Sequence, residues 1–228
     1  MADMKILLRT LIVAVLAVVA LGTLSACSGG SSGPAPASAP PTATSATYVA
    51  DMEADGRKMT IGISVDGDKM TAYACNGVDD EAWFFGQPTA GKVDVTNKFR
   101  DTLTASLSLA NVTGNVVMNG TTYPFTAAKV AAPAGIYTAD QDGVRASWIV
   151  RPDGSLTGVQ FNGGVTGRDF EQAELQQLNA AQFQAQVRNK RVLQQADQSA
   201  GFQNGALVSK INGRSVTART VTGSTRFS

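Results

Sequence analysis

Cys27 and Cys75 are the two thiols of a sequence that holds no histidine, so thiol chemistry is the first reactivity to look for. Without histidine, Ser-His-Asp and Cys-His catalysis, His-ligated zinc and a histidine pH switch are excluded. Gly62-Ile63-Ser64-Val65-Asp66-Gly67 is close to a nucleophile elbow but lacks the second glycine at the required place. Asp66-Gly67-Asp68 and Asp79-Asp80-Glu81 are rich in oxygen donors. Neither has the spacing of a calcium loop, and both read as solvated turns. Gly163-Gly164 and Gly167 are not followed by the Lys-Ser/Thr of a phosphate loop. Paired carboxylates for glycoside cleavage must face each other across a cleft, and the acids here sit mostly at turns. The sequence therefore assigns no catalytic residue, no metal ligand and no cofactor. Cys75 reads as a buried, inert hydrophobe, since Asp79, Asp80 and Glu81 nearby would raise its pKa.

Cys27 is placed differently. Lys5 and Arg9 form a short positive start, and Leu11 to Leu21 is almost purely apolar. That run has the length of a secretory core and is short for a membrane span. Leu24-Ser25-Ala26-Cys27 then resembles the lipobox of bacterial lipoproteins. The resemblance implies cleavage between Ala26 and Cys27 and acylation of Cys27 with palmitate-type chains. Two or more chains hold a protein stably to a membrane where one does not. An uncut signal anchor, or cleavage without lipid, are the alternatives. With Cys27 acylated, Cys75 has no partner for an intramolecular disulfide.

Residues 28–47 are Ser, Gly, Pro, Ala and Thr only, too poor in apolar surface to offset the entropy of ordering. Residues 27–47 therefore read as the lipidated cysteine and a tether, spanning about 25 Å as a flexible coil. The composition also suits O-glycosylation. The chain carries 19 Lys+Arg and 18 Asp+Glu, and loss of residues 1–26 with Lys5, Arg9 and Asp3 leaves 17 of each. A neutral body without a dense basic cluster argues against nucleic acid and against electrostatic membrane binding.

From Tyr48 to about Gly164, Asn-Gly and Asp-Gly pairs recur at 55–56, 66–67, 76–77, 119–120, 142–143, 153–154 and 162–163. Such pairs supply the positive φ of type I′ hairpin turns. Short alternating runs lie between them: 59–65, 70–75, 103–109, 116–118, 122–125, 136–137 and 147–150. Pro124 belongs at an edge or a bulge. The pattern predicts a mainly β fold over 48–167, an antiparallel meander closed as a small barrel or stacked as a sandwich, with closure favoured because it removes free edges. A weak internal echo relates Tyr48, Asp55-Gly56 and 59–65 to Tyr137, Asp142-Gly143 and 145–150. If there are two sheets, Pro133-Ala134-Gly135 is the joint.

Tyr73-Ala74-Cys75-Asn76-Gly77 followed by Glu81-Ala82-Trp83-Phe84 resembles a pattern in secreted and lipidated actinobacterial proteins of unassigned function. The resemblance runs from Tyr48 to Lys129 and implies a compartment but no activity. Trp83 and Tyr73 are expected in the core or at its rim. Residues 168–200 are rich in helix formers, with Asp169 as N-cap, Gly201 as stop, and a break near Asn179 giving two helices. Leu175, Leu178, Ala181, Ala185 and Val192 or Ala196 make the apolar stripe, and the helices are expected on the barrel mouth or flank. Residues 201–228 read as a terminal hairpin about Asn212-Gly213 that adds to the sheet. Arg214, Arg219 and Arg226 are expected in solvent, or alternatively at a local anion site.

These features point to a non-enzymatic binding or interaction domain of the cell envelope, anchored to the membrane through Cys27 on the extracytoplasmic face, with an envelope protein as possible partner. A carrier of lipid or a small apolar ligand in a barrel cavity is the first alternative. An inhibitor or exclusion lipoprotein acting on a surface partner is the second.

Overall fold

The computed structural model describes residues 45–227. The expected leader 1–26, the cleavage position Ala26, the lipidation position Cys27 and most of the tether lie outside the described residues. Ser45–Thr47, assigned above to the tether, instead open the first strand by pairing with Ser64–Asp66.

Eight strands form the first sheet: β1 (Ser45–Ala54), β2 (Arg57–Asp66), β3 (Lys69–Cys75), β4 (Glu81–Gly86), β5 (Lys92–Thr96), β6 (Thr102–Leu107), β7 (Asn111–Met118) and β8 (Thr121–Val130). Their order is β4-β3-β2-β1-β8-β7-β6-β5. The first strand therefore pairs with the last, and the meander curls into a near-closed barrel with one seam, between β4 and β5. The strands approach closely at that seam: a Cβ on Gly86 would stand 3.1 Å from Val93 Cγ2.

The second sheet holds β9 (Gly135–Gln141), β10 (Val144–Val150), β11 (Leu156–Phe161), β12 (Leu193–Gln195), β13 (Gly201–Gln203), β14 (Ala206–Ile211) and β15 (Arg214–Thr220). Its order, β12-β11-β10-β9-β15-β14-β13, repeats the wiring of the first, with β9 paired to β15. It is a curled half-barrel. The two sheets divide between Val130 and Gly135, at the joint expected from Pro133-Ala134-Gly135. The echo in the sequence corresponds to the opening hairpin of each sheet. Asp55 and Gly56 have φ of 52° and 70°, and Asp142 and Gly143 have 51° and 78°, as type I′ turns require. At 66–67 the turn sits one residue later: Asp66 stays in β2, and Gly67, with φ 61°, takes the first turn position.

Alternation explains the layers. In β2 and β3, Met59, Ile61, Ile63, Val65, Met70, Ala72 and Ala74 point into the barrel, where side chains from all eight strands fill the core. The opposite face presents Tyr73 and Cys75, which pack with Ile136, Ile149 and Val159 of the second sheet. Burying each large apolar side chain of this kind stabilises by about 1.5–3 kcal/mol. Gly62 lets the sheets approach, since a Cβ there would lie 2.5 Å from Ile136 Cγ1. The other face of the half-barrel closes around the fully buried Trp148. Pro124 lies in β8 opposite Asn115 of β7, beyond the 128–130 segment that pairs with β1. It is thus on a locally free edge.

The helical segment is shorter than its composition suggests. It consists of α1 (Gly167–Leu175), α2 (Ala180–Gln186) and a 3-10 turn at Arg188–Lys190. Leu193–Gln195 then pair with Val159–Phe161 as β12, so a free sheet edge overrides helix propensity. The break does fall at Asn179, which caps α2 by accepting the Gln182 N–H. The N-cap of α1 is Thr166, not Asp169; the Asp169 carboxylate reaches back to the Thr166 N–H and hydroxyl, each at 2.8 Å. The positive φ of Gln177 resets the helical register. Leu175 is consequently 84% exposed, while Ala173, Leu178, Phe183 and Val187 are buried. The helices pack through Phe170 and Phe183 on Phe99, in the loop between β5 and β6.

Candidate functional site

β4 carries large side chains on both faces, so both faces have to be covered. Ala82 and Phe84 enter the barrel core. Glu81, Trp83 and Phe85, on the outer face, form one wall of a cleft of about 450 Å³. Arg145 of β10, Phe161 of β11 and Phe227 line it from the second sheet and the tail, and Lys98 and Phe99 from the β5–β6 loop. Asn97 shapes that loop by accepting the N–H groups of Phe99 and Asp101 at 2.9 and 3.0 Å.

The tail reaches the cleft along a fixed track. Ser64 Oγ donates to the Val221 carbonyl at 2.9 Å, and Thr71 Oγ1 to the Gly223 carbonyl at 3.1 Å. Arg226 donates to Thr71 Oγ1 and to the carbonyls of Gly223 and Thr225. Phe227 is thereby set edge-on to Trp83, with centroids 4.6 Å apart, and Trp83 in turn stacks on Tyr73 at 4.3 Å.

Charge enters through one buried ion pair. Arg145 Nη2 lies 2.6 Å from Glu81 Oε1, with the Glu81 side chain only 4% exposed. The guanidinium is surrounded by rings, 4.7 Å from Phe227, 5.3 Å from Phe161 and 5.7 Å from Trp83. Four buried side-chain polar atoms lack a hydrogen-bond partner among the described residues: Tyr73 Oη, Glu81 Oε2, Trp83 Nε1 and Arg145 Nε. All four belong to this cluster. Each such atom typically costs about 1–3 kcal/mol, so their concentration in one wall marks a place where the fold gives up stability. Burial, then the neighbouring Cys75 and Glu81, push the Tyr73 phenol well above its ordinary range. At the rim, burial and then the charge of Arg145 pull the Lys98 ammonium below its ordinary value. Lys98 makes no ion pair among the described residues; its Nζ lies 5.5 Å from the rings of Phe99 and Phe170.

A second ionic cluster locks the wall. Asp80 accepts from Arg188 Nη2 at 2.8 Å and Arg191 Nη2 at 3.0 Å, while Arg188 Nε reaches Asp101 at 3.2 Å. Burial raises the Asp101 carboxyl despite the opposing Arg188 charge. Arg191 also donates to the Glu81 carbonyl at 2.6 Å. The solvated-turn reading of Asp79-Asp80-Glu81 is thus corrected: Asp79 is exposed, but Asp80 bridges two arginines and Glu81 is buried. Asp66, Gly67 and Asp68 are exposed, as expected of a solvated turn, and Asp66 also accepts from Ser224 Oγ. Cys75 is fully buried, and burial pushes its thiol up to about 12. Arg214 and Arg219 form exposed pairs with Asp142 and Asp140, and Arg226 holds the tail, so these three do not converge on an anion site.

Arg145, Phe161, Arg191 and Phe227 were not singled out from the sequence as site residues. Ala82-Trp83-Phe84-Phe85, apolar at every position, marks β4 as a strand covered on both faces, but no local pattern marks the four residues that cover it. Comparison with protein-family models, with curated proteins and with solved structures finds no match to the chain.

Proposed function

We propose that this protein is a membrane-tethered, extracytoplasmic binding protein that takes a small ligand in the cleft between barrel and half-barrel. The lipobox-like Leu24-Ser25-Ala26-Cys27 and the core-less stretch after it support the tether. The observation that carries the binding role is the aromatic cavity walled by Trp83, Phe161 and Phe227 beside the Arg145–Glu81 pair, with Lys98 at its rim and the unpartnered Glu81 Oε2, Trp83 Nε1 and Arg145 Nε behind its surface. Its size is within the range of small-molecule pockets. The barrel core is packed with side chains, which favours an external groove over a ligand held in the lumen.

Two measurements test this. Mass analysis of protein recovered from membranes should show a chain beginning at Cys27 with added acyl mass, and Cys27→Ala should abolish membrane retention. Native mass spectrometry of the same material should show a bound small molecule that Phe161→Ala releases. An unmodified Cys27 would remove the anchoring half. Wild-type protein that neither carries a ligand nor acquires one from an envelope extract would remove the binding half.

A further inference from the structure

The cleft's charge selects its ligand. Arg145 is paired with Glu81 and Arg191 with Asp80, which leaves Lys98 as the uncompensated charge at the rim. Aromatic cages often hold cations over their ring faces. Here the ring faces of Trp83, Phe161 and Phe227 already meet the guanidinium of Arg145. The Glu81 carboxylate is already neutralised by Arg145 at 2.6 Å, so among the described residues the cleft has no free negative charge to offer a cation. An entering cation would meet the uncompensated like charge of Lys98, and like-charge juxtaposition disfavours it. An anion would meet the free ammonium of Lys98 and the partly exposed guanidinium of Arg145, beside the rings.

We infer that the cleft binds an amphiphilic organic monoanion, with its apolar body among the rings of Phe161, Phe227 and Trp83 and its acidic head between Lys98 and Arg145. This rests on the reading of the cleft as a ligand site. It adds the sign of the charge and the residue that reads it. Lys98 is the discriminating residue because it is exposed, so its replacement leaves the packed core intact.

Three isosteric probes test the inference on the protein recovered from membranes, in one detergent throughout so that micelle partitioning cancels between variants: 2-naphthoate, neutral 2-naphthamide and cationic 2-naphthylmethylammonium. Affinities are read by saturation-transfer NMR. The naphthoate should bind about tenfold or more tightly than the amide, as expected for about one partly desolvated charge contact, and the ammonium most weakly. Lys98→Gln should weaken naphthoate far more than the amide and so remove most of its advantage, and Phe161→Ala should weaken both. Equal binding of the three probes, tighter binding of the ammonium, or a naphthoate preference that survives Lys98→Gln would overturn the anion assignment while leaving the cleft as a ligand site, provided Phe161→Ala still weakens binding. No binding of any probe, or binding indifferent to Phe161→Ala, would take down both readings.

Discussion

Arg145 and Glu81 are 64 residues apart in the chain, and their side chains meet at 2.6 Å across the boundary between the two sheets. Only one carboxylate oxygen is engaged; Glu81 Oε2 is left without a partner. The pair therefore joins the barrel to the half-barrel at the floor of the cleft without being fully satisfied.

Breaking this pair should be more harmful than deleting it. Arg145→Met strands a buried carboxylate and is expected to cost about 3 kcal/mol or more, whereas Glu81→Leu with Arg145→Met should recover most of that loss. Urea unfolding of the three proteins checks the order. A double variant no more stable than Arg145→Met would show that the arginine acts through its ring contacts instead.

The tail should be sensitive at Gly223. A Cβ there would lie 2.4 Å from both Asp66 N and Lys69 O, backbone atoms that cannot rotate away. Gly223→Ala should lift residues 221–227, release Phe227 from Trp83 and cost about 1–3 kcal/mol. The diagnostic reading is red-shifted Trp83 emission with the buried Trp148 unchanged, resolved in Trp83→Phe and Trp148→Phe backgrounds.

Gly62 should report on the docking of the two sheets. Gly62→Val drives side-chain atoms into Ile136 and is expected to cost about 1–3 kcal/mol. Because the inter-sheet cluster is shared by both sheets, wild-type unfolding should be one cooperative transition by both far-ultraviolet dichroism and tryptophan emission. Separate transitions in the wild type would contradict that coupling.

Asp51 should give the fold an acid-sensitive component. Arg151 holds the carboxylate with Nε and Nη2 at 2.7–3.1 Å, and this hydrogen bonding, chiefly, lowers its pKa from 3.8. A depressed folded pKa gives stability that is present above the unfolded value and lost as pH falls through the folded one. Asp51 is 63% exposed, so the contribution is about 1 kcal/mol or less. Asp51→Asn should be less stable than wild type at about pH 6, and the difference should shrink as pH falls below 3.8. Asp101, whose pKa burial raises, works in the opposite sense: its contribution declines as pH rises from 3.8 through its folded value.

Cys75 should be silent in the native protein. With the thiol buried and raised to about 12, an aromatic disulfide reagent at mildly alkaline pH should label it only after denaturant is added. Prompt labelling of native protein would show that the inter-sheet core opens.

By itself the sequence determined the hairpins at 55–56, 119–120, 142–143 and 212–213, the position of the joint and the strand-to-helix change, whereas at 76–77, 153–154 and 162–163 only the glycine has positive φ and no two-residue hairpin forms. Asp55-Gly56, Asp142-Gly143 and Asn212-Gly213 encode their turns locally, because positive φ is a property of the residues themselves. Period-2 runs such as 103–107 likewise show which residues share a face. Tertiary structure decided where propensity stopped: Leu193–Gln195 became a strand because β11 offered a free edge, and Leu175 turned outward because the helix broke two residues later. It alone decided the cleft. Glu81, Lys98, Arg145, Phe161 and Phe227 come together through the curvature of the sheets and the track of the tail. Those depend on long-range register and close packing at Gly62 and Gly223, which no local window of sequence contains.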